Sequence, residues 1–279
     1  MPYYTPIMKK KNIVRLALPT PLNRLFDYIL PEEMDSTQLK VGMRLLVPFR
    51  SRVLAGWFIE YRNQTSYPLN KLKSVASIID REPVMMEELY QLCTFASHYY
   101  HYPLGEILTQ CLPTIARQKN TIPADNARDE SIANQPLDKI IKPNEAQQKM
   151  IDTVLLSQNQ FHSFLLDGVT GSGKTEVYMQ VIQQIINNQK QVLVLVPEIS
   201  LTPQMIERFK ARFNFPIVAH HSGLTNKERY QTWLLAKNGE ARVMIGTRSA
   251  VFTSFQSLGL IVIDETETKH NHFRIKETI

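Results

Sequence analysis

Phe164-Leu-Leu-Asp-Gly-Val-Thr-Gly-Ser-Gly-Lys-Thr-Glu176 sets Gly168, Gly173, Lys174 and Thr175 in the order G-x-x-x-x-G-K-[ST], the pattern of a phosphate-cradling P-loop. Glycines at this spacing let the backbone curl until successive N–H groups face a phosphate, and the helix that follows offers its positive end. The loop backbone at Gly168, Thr170, Gly171, Ser172 and Gly173 is therefore expected to hold ATP phosphates. Lys174 would reach the β- and γ-phosphates, and the Thr175 hydroxyl would ligate Mg²⁺. An apolar run over 161–166 reads as a strand leading in, and a helical pattern over 176–186 leads out.

The rest of the C-terminal half keeps that rhythm. A helix is expected over 144–156, and apolar strands follow at Gln191-Val-Leu-Val-Leu-Val, Pro216-Ile-Val-Ala-His, Arg242-Val-Met-Ile-Gly and Leu260-Ile-Val-Ile-Asp. Amphipathic helices near 202–213 and 226–237 separate some of them. Strands this apolar, alternating with helices, imply an α/β fold with a parallel sheet covered on both faces. The last strand ends in Asp264 and Glu265. In a P-loop protein a strand-end aspartate holds Mg²⁺ and the neighbouring glutamate polarises the attacking water, so Lys174, Asp264 and Glu265 form the candidate catalytic set.

A length of 279 residues fits about two domains, and 43% hydrophobic with 21% charged residues describes an ordinary globular chain. The net charge of +6 is uneven: residues 1–80 hold 12 Lys/Arg against 6 Asp/Glu, while the remainder holds 20 of each. That asymmetry fits either an anionic partner such as nucleic acid or a basic solvated surface. The two cysteines, Cys93 and Cys111, sit inside apolar helical patterns and read as small core residues. They are too few for a zinc motif, so no zinc site is expected, and His270 and His272 read as polar tail. With no signal peptide and no run of roughly 18 apolar residues, the expectation is a cytoplasmic chain without a membrane partner.

Residues 12–80 are β-rich, with strand-like runs at Ile13-Val-Arg-Leu-Ala-Leu, Phe26-Asp-Tyr-Ile-Leu, Met43-Arg-Leu-Leu-Val and Val53-Leu-Ala-Gly-Trp-Phe-Ile. Pro19, Pro21, Pro31 and Pro48 punctuate them, as in a small barrel or open sheet. Helices are expected over 83–112, where Met85, Leu89, Leu92, Cys93 and Ala96 recur at spacings of three and four. Residues 114–143 are polar, lack either apolar period and read as a linker. The expected domains are thus 1–113, the linker, and 144–279.

Several stretches closely resemble the PriA family of replication-restart DNA helicases. They are Gly168-Val-Thr-Gly-Ser-Gly-Lys-Thr-Glu-Val-Tyr, Val196-Pro-Glu-Ile-Ser-Leu-Thr-Pro-Gln, His221-Ser-Gly-Leu, Ile245-Gly-Thr-Arg-Ser-Ala-Val-Phe, and, near the N-terminus, Leu18-Pro-Thr-Pro-Leu, Phe26-Asp-Tyr and Val47-Pro-Phe. The resemblance covers about residues 12–113 and 143–265. It implies a superfamily-2 motor that recognises stalled forks and moves 3′ to 5′ with ATP and Mg²⁺, its first RecA-like lobe preceded by a small domain that binds 3′ ends. It also implies partners: forked and single-stranded DNA, the 3′ end of the nascent strand, and primosome and single-strand-binding proteins.

Residue by residue, the resemblance puts Gln147 in the place of an adenine-reading glutamine, although Gln148 lies beside it. It gives Thr202, Thr247 and Arg248 contacts to a single-strand backbone. A 3′-end pocket would use Phe26 for stacking, Asp27 for the free hydroxyl, and Lys73. Arg50 stands where the family has glycine, and would either crowd that pocket or add a phosphate contact.

Departures accompany the match. The polar interval 114–143 replaces a winged-helix domain of about 60 residues, and is too short for a core of its own. The motif after Asp264-Glu265 continues as Thr266-Glu267, and residues 266–279 resemble nothing in the family. The chain is expected to be a truncated form without the second lobe, binding ATP and DNA without unwinding. A non-enzymatic fork-binding module and a product with no stable role are the alternatives.

Overall fold

Alternation of apolar and polar residues shapes the first of two compact units, residues 1–125; the second comprises 126–279. The computed structural model describes residues 13–34, 36–117, 142–157, 160–169 and 171–264. The first unit carries strands β1 (Ile13–Ala17), β2 (Phe26–Ile29), β3 (Arg44–Phe49), β4 (Arg52–Arg62) and β5 (Ser77–Ile78). They form one antiparallel sheet in the order β2-β1-β4-β3-β5. Its two ends meet: Ile29 N–H donates to Lys73 O at 3.0 Å and Val75 N–H to Ile29 O at 2.9 Å, which closes the sheet on itself. Val14, Leu16, Tyr28, Leu45, Val47 and Phe58 fill the interior. Pro48 lies within β3 rather than bounding it. Pairing with β5 stops at Leu46, so the missing N–H of Pro48 leaves no ladder bond unmade on that side.

Helices α1 (Glu87–Tyr99), α2 (Leu104–Gln110) and α3 (Thr114–Arg117) follow. Glu87 and Glu88 complement the positive end of α1, and Leu89, Cys93 and Ala96 make its buried stripe. Cys93 and Cys111 are free thiols whose sulfurs lie 3.4 Å apart. The buried guanidinium of Arg44 ties the helices to the barrel. It pairs with Asp80 through Nε at 2.8 Å and Nη2 at 2.7 Å, and its Nη1 donates to the carbonyl of Ala116. Ordered structure therefore runs past the expected linker start at 114. The interval 118–141 lies outside the described residues, as do Thr170, Glu265 and the tail 266–279.

The second unit contains α4 (Glu145–Leu156), α5 (Lys174–Asn187), β6 (Gln191–Leu195), α6 (Pro203–Arg212), β7 (Ile217–His220), α7 (Asn226–Lys237), β8 (Val243–Gly246) and β9 (Leu258–Ile263). The strands form a wholly parallel sheet in the order β7-β8-β6-β9. One core joins Val177, Ile182 and Ile186 of α5 and Phe209 of α6 to Val192, Val194, Val243 and Ile245 of the sheet. Leu193, Met244, Ala236 and Phe255 pack in another cluster.

The expected strand over 161–166 does not form. Residues 161–169 have no regular structure, and Phe161 is 95% exposed. Among the described residues β9 ends the sheet, with Ile263 67% exposed, and the lead-in segment makes no ladder with it. No helix among the described residues is long and apolar enough to cross a membrane.

Replacing Arg44 by Met should cost about 3–5 kcal/mol, because it strands a buried Asp80 carboxylate, and the Arg44→Met/Asp80→Leu pair should recover part of that loss. Urea unfolding followed by circular dichroism reads both, and equal midpoints for wild type and Arg44→Met would show that the ion pair carries no stability.

Candidate functional site

The loop after 169 turns into α5 through Gly171 and Gly173, at φ +82° and +84°. These left-handed values are accessible to glycine at little cost, whereas other residues are strained there. Gly173 caps α5, and its Cα faces Gln147 so closely that an added Cβ would sit 2.5 Å from the amide Nε2. Lys174 Nζ donates back to the carbonyls of Gly168 and Val169.

Gln147 holds this loop from α4. Its Nε2 donates to Ser172 O at 3.0 Å, while its Oε1 accepts from Asn144 N–H at 2.9 Å in a reciprocal capping box. Both ends of the amide expected to read adenine are thus engaged by the protein itself. Gln148, the neighbouring candidate, bonds along its own helix to Asp152 at 2.8 Å.

Asp264 follows β9 directly, and its N–H donates to Leu195 O at 2.9 Å, which continues the sheet ladder. Its Oδ2 accepts from the Tyr178 hydroxyl at 2.8 Å. Tyr178 lies one helical turn beyond Thr175, whose side chain is near enough to lower the phenol's pKa slightly. Burial, reinforced by the adjacent Asp264 carboxylate, pushes the Tyr178 pKa up, so the phenol stays a donor. One expected Mg²⁺ ligand, Asp264, is thus held by a phenol from the helix that carries the other, Thr175. Sequence reasoning quoted Tyr178 within the loop motif and gave it no role; its position one turn past Thr175 is the signal that was available. No group of three or more His, Cys, Asp or Glu among the described residues could hold a metal, so a cation here would rest on Thr175, Asp264 and oxygens of a bound nucleotide.

At the same edge of the sheet, Val196, Pro197, Glu198, His220, His221, Ser222, Arg229 and Thr247–Ser249 line a cavity of about 530 Å³. Thr247 N–H donates to His220 O at 3.2 Å, which joins the β7 and β8 loops. Arg248 is exposed beside Thr247, so the structure brings these two expected strand contacts together. Thr202 is placed differently. Its hydroxyl accepts from Met205 N–H at 3.2 Å as the N-cap of α6, and it is not among the cavity's lining residues.

In the first unit, Phe26 packs edge-on against Phe49 at 5.4 Å, and Arg50 lies over the Phe49 ring at 5.8 Å. Lys73 Nζ donates to Arg50 O at 3.4 Å. Phe26, Arg50 and Lys73 are thus gathered around one aromatic pair. Asp27 is engaged by Arg15, with Nε to Oδ1 at 2.7 Å and Nη2 to Oδ2 at 3.1 Å. Burial alone would raise the Asp27 pKa, but hydrogen bonds from Arg15 and Thr65 outweigh it and hold the carboxyl below its usual range. A 3′-hydroxyl would have to share this carboxylate with Arg15. Arg50 itself adopts φ +51° at the first position of the two-residue β3–β4 turn, where hairpins favour glycine.

Comparison with known proteins matches the chain in two segments. The PriA 3′ DNA-binding domain family matches residues 15–113, and the DEAD/DEAH box helicase family matches 144–276. Replication restart protein PriA of Haemophilus influenzae is 34% identical, covering 91% of this chain and 44% of the relative. PriA of Rickettsia felis is 33% identical over 91% of this chain and 37% of its own length. PriA of Synechocystis reaches 51% identity over 43% of this chain. The chain therefore spans less than half the length of these relatives. The match to the H. influenzae protein runs over 324 positions for its 91% of the chain, and so carries long insertions relative to it; that with R. felis runs over 255 positions for the same share and carries almost no such insertion. The compact spacing of this chain is matched in the latter relative.

Arg50→Gly should raise the stability of the first unit by about 1 kcal/mol, since glycine removes the left-handed strain. Thermal melting checks this, and a lowered melting temperature would mean that the Arg50 contacts outweigh its backbone cost.

Proposed function

We infer, because this chain belongs to the replication restart protein PriA family, that it binds Mg-ATP through the second unit and DNA through both units. The observation that carries the nucleotide half is the bond from the Tyr178 hydroxyl to Asp264, which ties the strand-end carboxylate to the helix that opens with Lys174 and Thr175 after the glycine loop. A phosphate in the loop is supported by the open space at Gly171, where an added Cβ would meet no atom of the described residues within 4 Å beyond its chain neighbours, and by the Lys174 ammonium, which lies on the loop carbonyls. Loop N–H groups of Gly168 and Gly171–Gly173 would hold phosphate oxygens, with Thr170 completing the loop. Lys174 would exchange its carbonyl contacts for the β- and γ-phosphates. Thr175 and Asp264 would hold Mg²⁺, which supplies charge neutralisation at the phosphates when bound. Glu265, next after Asp264, is the proposed group for orienting water, completing the catalytic set with Lys174 and Asp264. Gln147 is the proposed adenine contact, and its capping-box geometry would have to yield one hydrogen bond to serve there.

DNA binding is proposed along Thr202, Thr247 and Arg248 for a single-strand backbone, and around Phe26, Asp27, Arg50 and Lys73 for a 3′ end. Backbone contacts of this kind fix register and carry no base preference. The biological role that follows is ATP-dependent DNA unwinding in replication restart at stalled forks, with primosome and single-strand-binding proteins as partners. Turning ATP hydrolysis into movement requires two lobes that close on the nucleotide and reopen. The activity proposed for the described residues themselves is binding of Mg-ATP and DNA.

Mg-ATP at about 100 times its Kd should stabilise the second unit by about 2.7 kcal/mol, read as a rise in melting temperature. Lys174→Ala should abolish the rise, and an equal rise in that variant would overturn the phosphate assignment. Tyr178→Phe should leave nucleotide binding without Mg²⁺ intact and weaken the Mg²⁺-dependent increment several-fold, since Asp264 loses its orienting donor. An unchanged increment would separate the phenol from the cation site.

A further inference from the structure

We propose that Arg212 is a positioning residue of the phosphate site: it holds the Glu176 carboxylate away from the N-terminus of α5, where that carboxylate would otherwise take the place of a phosphate. This rests on the reading that the glycine loop and the start of α5 hold phosphate oxygens, and it gives a role to an ion pair that spans 36 positions of the chain.

The competitor is part of the chain. Gly173 is the N-cap of α5, so Glu176 stands at the third helical position, next after Thr175. A carboxylate there can reach back to the N–H of the N-cap residue, and it is drawn to the positive end of the helix. Two other helices of this unit show the reach at the same spacing. Glu228 Oε2 accepts from Thr225 N–H at 2.8 Å at the start of α7, and Gln147 Oε1 accepts from Asn144 N–H at 2.9 Å at the start of α4. On α5 the corresponding N–H is that of Gly173, one of those proposed to hold a phosphate oxygen.

Glu176 is engaged elsewhere. Its Oε1 accepts from Arg212 Nη2 at 2.8 Å and from Gln180 Nε2 at 2.9 Å. The two charged side chains are 9% and 14% exposed, so the bond is largely shielded from water and is of the strong, charge-assisted kind. Arg212 is the last residue of α6, and packing fixes it there. Phe209, one turn before it, and Phe213, next after it, belong to the same core as Val177 of α5, and the Phe209 ring stacks with Tyr178 at 6.5 Å. The guanidinium is thus delivered to Glu176 by the contact between two helices, and it cannot follow the carboxylate back to the loop.

Without Arg212 the carboxylate would keep one neutral donor, the Gln180 amide a turn further along α5, a contact of the weak kind that neighbours on one helix make. A half-buried carboxylate stripped of its cation gains by turning to the Gly173 N–H and the helix dipole. An incoming phosphate would then meet an occupied donor and a like charge at the same spot. With Arg212 in place, the negative charge next to Thr175 is both neutralised and drawn aside.

The test measures binding of Mg-ATP carrying a methylanthraniloyl label on the ribose to the full chain, at a temperature where circular dichroism shows every variant folded. Lys174→Ala is the reference for loss of the site. Arg212→Met should bind roughly tenfold more weakly than wild type, the range of one charged hydrogen bond. Adding Glu176→Leu to Arg212→Met should restore most of that affinity, although the ion pair is still missing. Arg212→Lys keeps a cation beside the carboxylate and should lose less; it also serves, paired with Glu176→Leu, if the methionine variant does not fold. Hydrogen exchange of the Gly173 amide in the ligand-free protein gives a second readout: it should slow in Arg212→Met and recover in the Arg212→Met/Glu176→Leu pair. Wild-type affinity in Arg212→Met, or exchange at Gly173 that does not slow, would overturn the proposal. Equal weakness of Arg212→Met and the pair would overturn it too, and would make Arg212 only a brace between α5 and α6. If wild type binds Mg-ATP no better than Lys174→Ala, the phosphate reading itself fails, and this inference with it.

Discussion

The second unit depends on the two-sided pairing of β6. Val192–Leu195 hydrogen-bond with Val243–Gly246 on one flank and with Leu260–Ile263 on the other. Both ladders run past the strand ends, through Val196 N–H to Gly246 O and Asp264 N–H to Leu195 O. The loop after β6, the Thr247–Ser249 turn and Asp264 thus leave one edge of the sheet in fixed register. Gln191 locks the opposite end. Its amide nitrogen donates to Ala236 O and Ala241 O, both at 2.8 Å, and its amide oxygen accepts from the N–H groups of Gln256 and Ser257. A buried amide with every bond made specifies one arrangement, because any slip of β6 leaves several groups unmet.

Wherever an element carried its own period, the sequence was a good guide to it. The helix expected over 226–237 is α7 residue for residue, opened by a Thr225–Glu228 capping box, and the four apolar strands appear within a residue or two. The basic β-rich half folds as a closed antiparallel sheet, as its alternation required. What escaped was anything that depended on a neighbour distant in sequence. The run 161–166 is apolar enough for a strand, but a strand is a property of a pair; beside it β9 offers an edge with no described ladder reaching across. Propensity and pattern speak for the segment alone.

The site follows the same division. Lys174, Thr175 and Asp264 stand out as candidates in the sequence because a phosphate loop and a strand-end carboxylate are local patterns. Tyr178 does not, since its link to Asp264 spans 86 positions and nothing in a tyrosine on a helix announces a carboxylate partner. Gln147 shows the converse. Its place before the loop was legible, whereas the capping box that occupies its amide is a consequence of Asn144 standing three residues earlier. Asp27 is similar, being opposite Arg15 in the β1–β2 register, so the ion pair follows from strand pairing and not from the Phe-Asp motif.

These partnerships divide the polar groups into two kinds, and the division bears on what a ligand would gain. Lys174, Gln147, Thr202, Asp27 and Asp264 each have a protein partner already. A ligand that binds them exchanges one hydrogen bond for another, and the net gain per contact is small, as it is for any bond made at the expense of a bond. Such groups are held in position beforehand, which favours geometric selectivity over affinity. His220 Nδ1 and Arg229 Nε stand in the other class, buried and without partners among the described residues. Each costs stability as it stands, since no hydrogen bond offsets its removal from water.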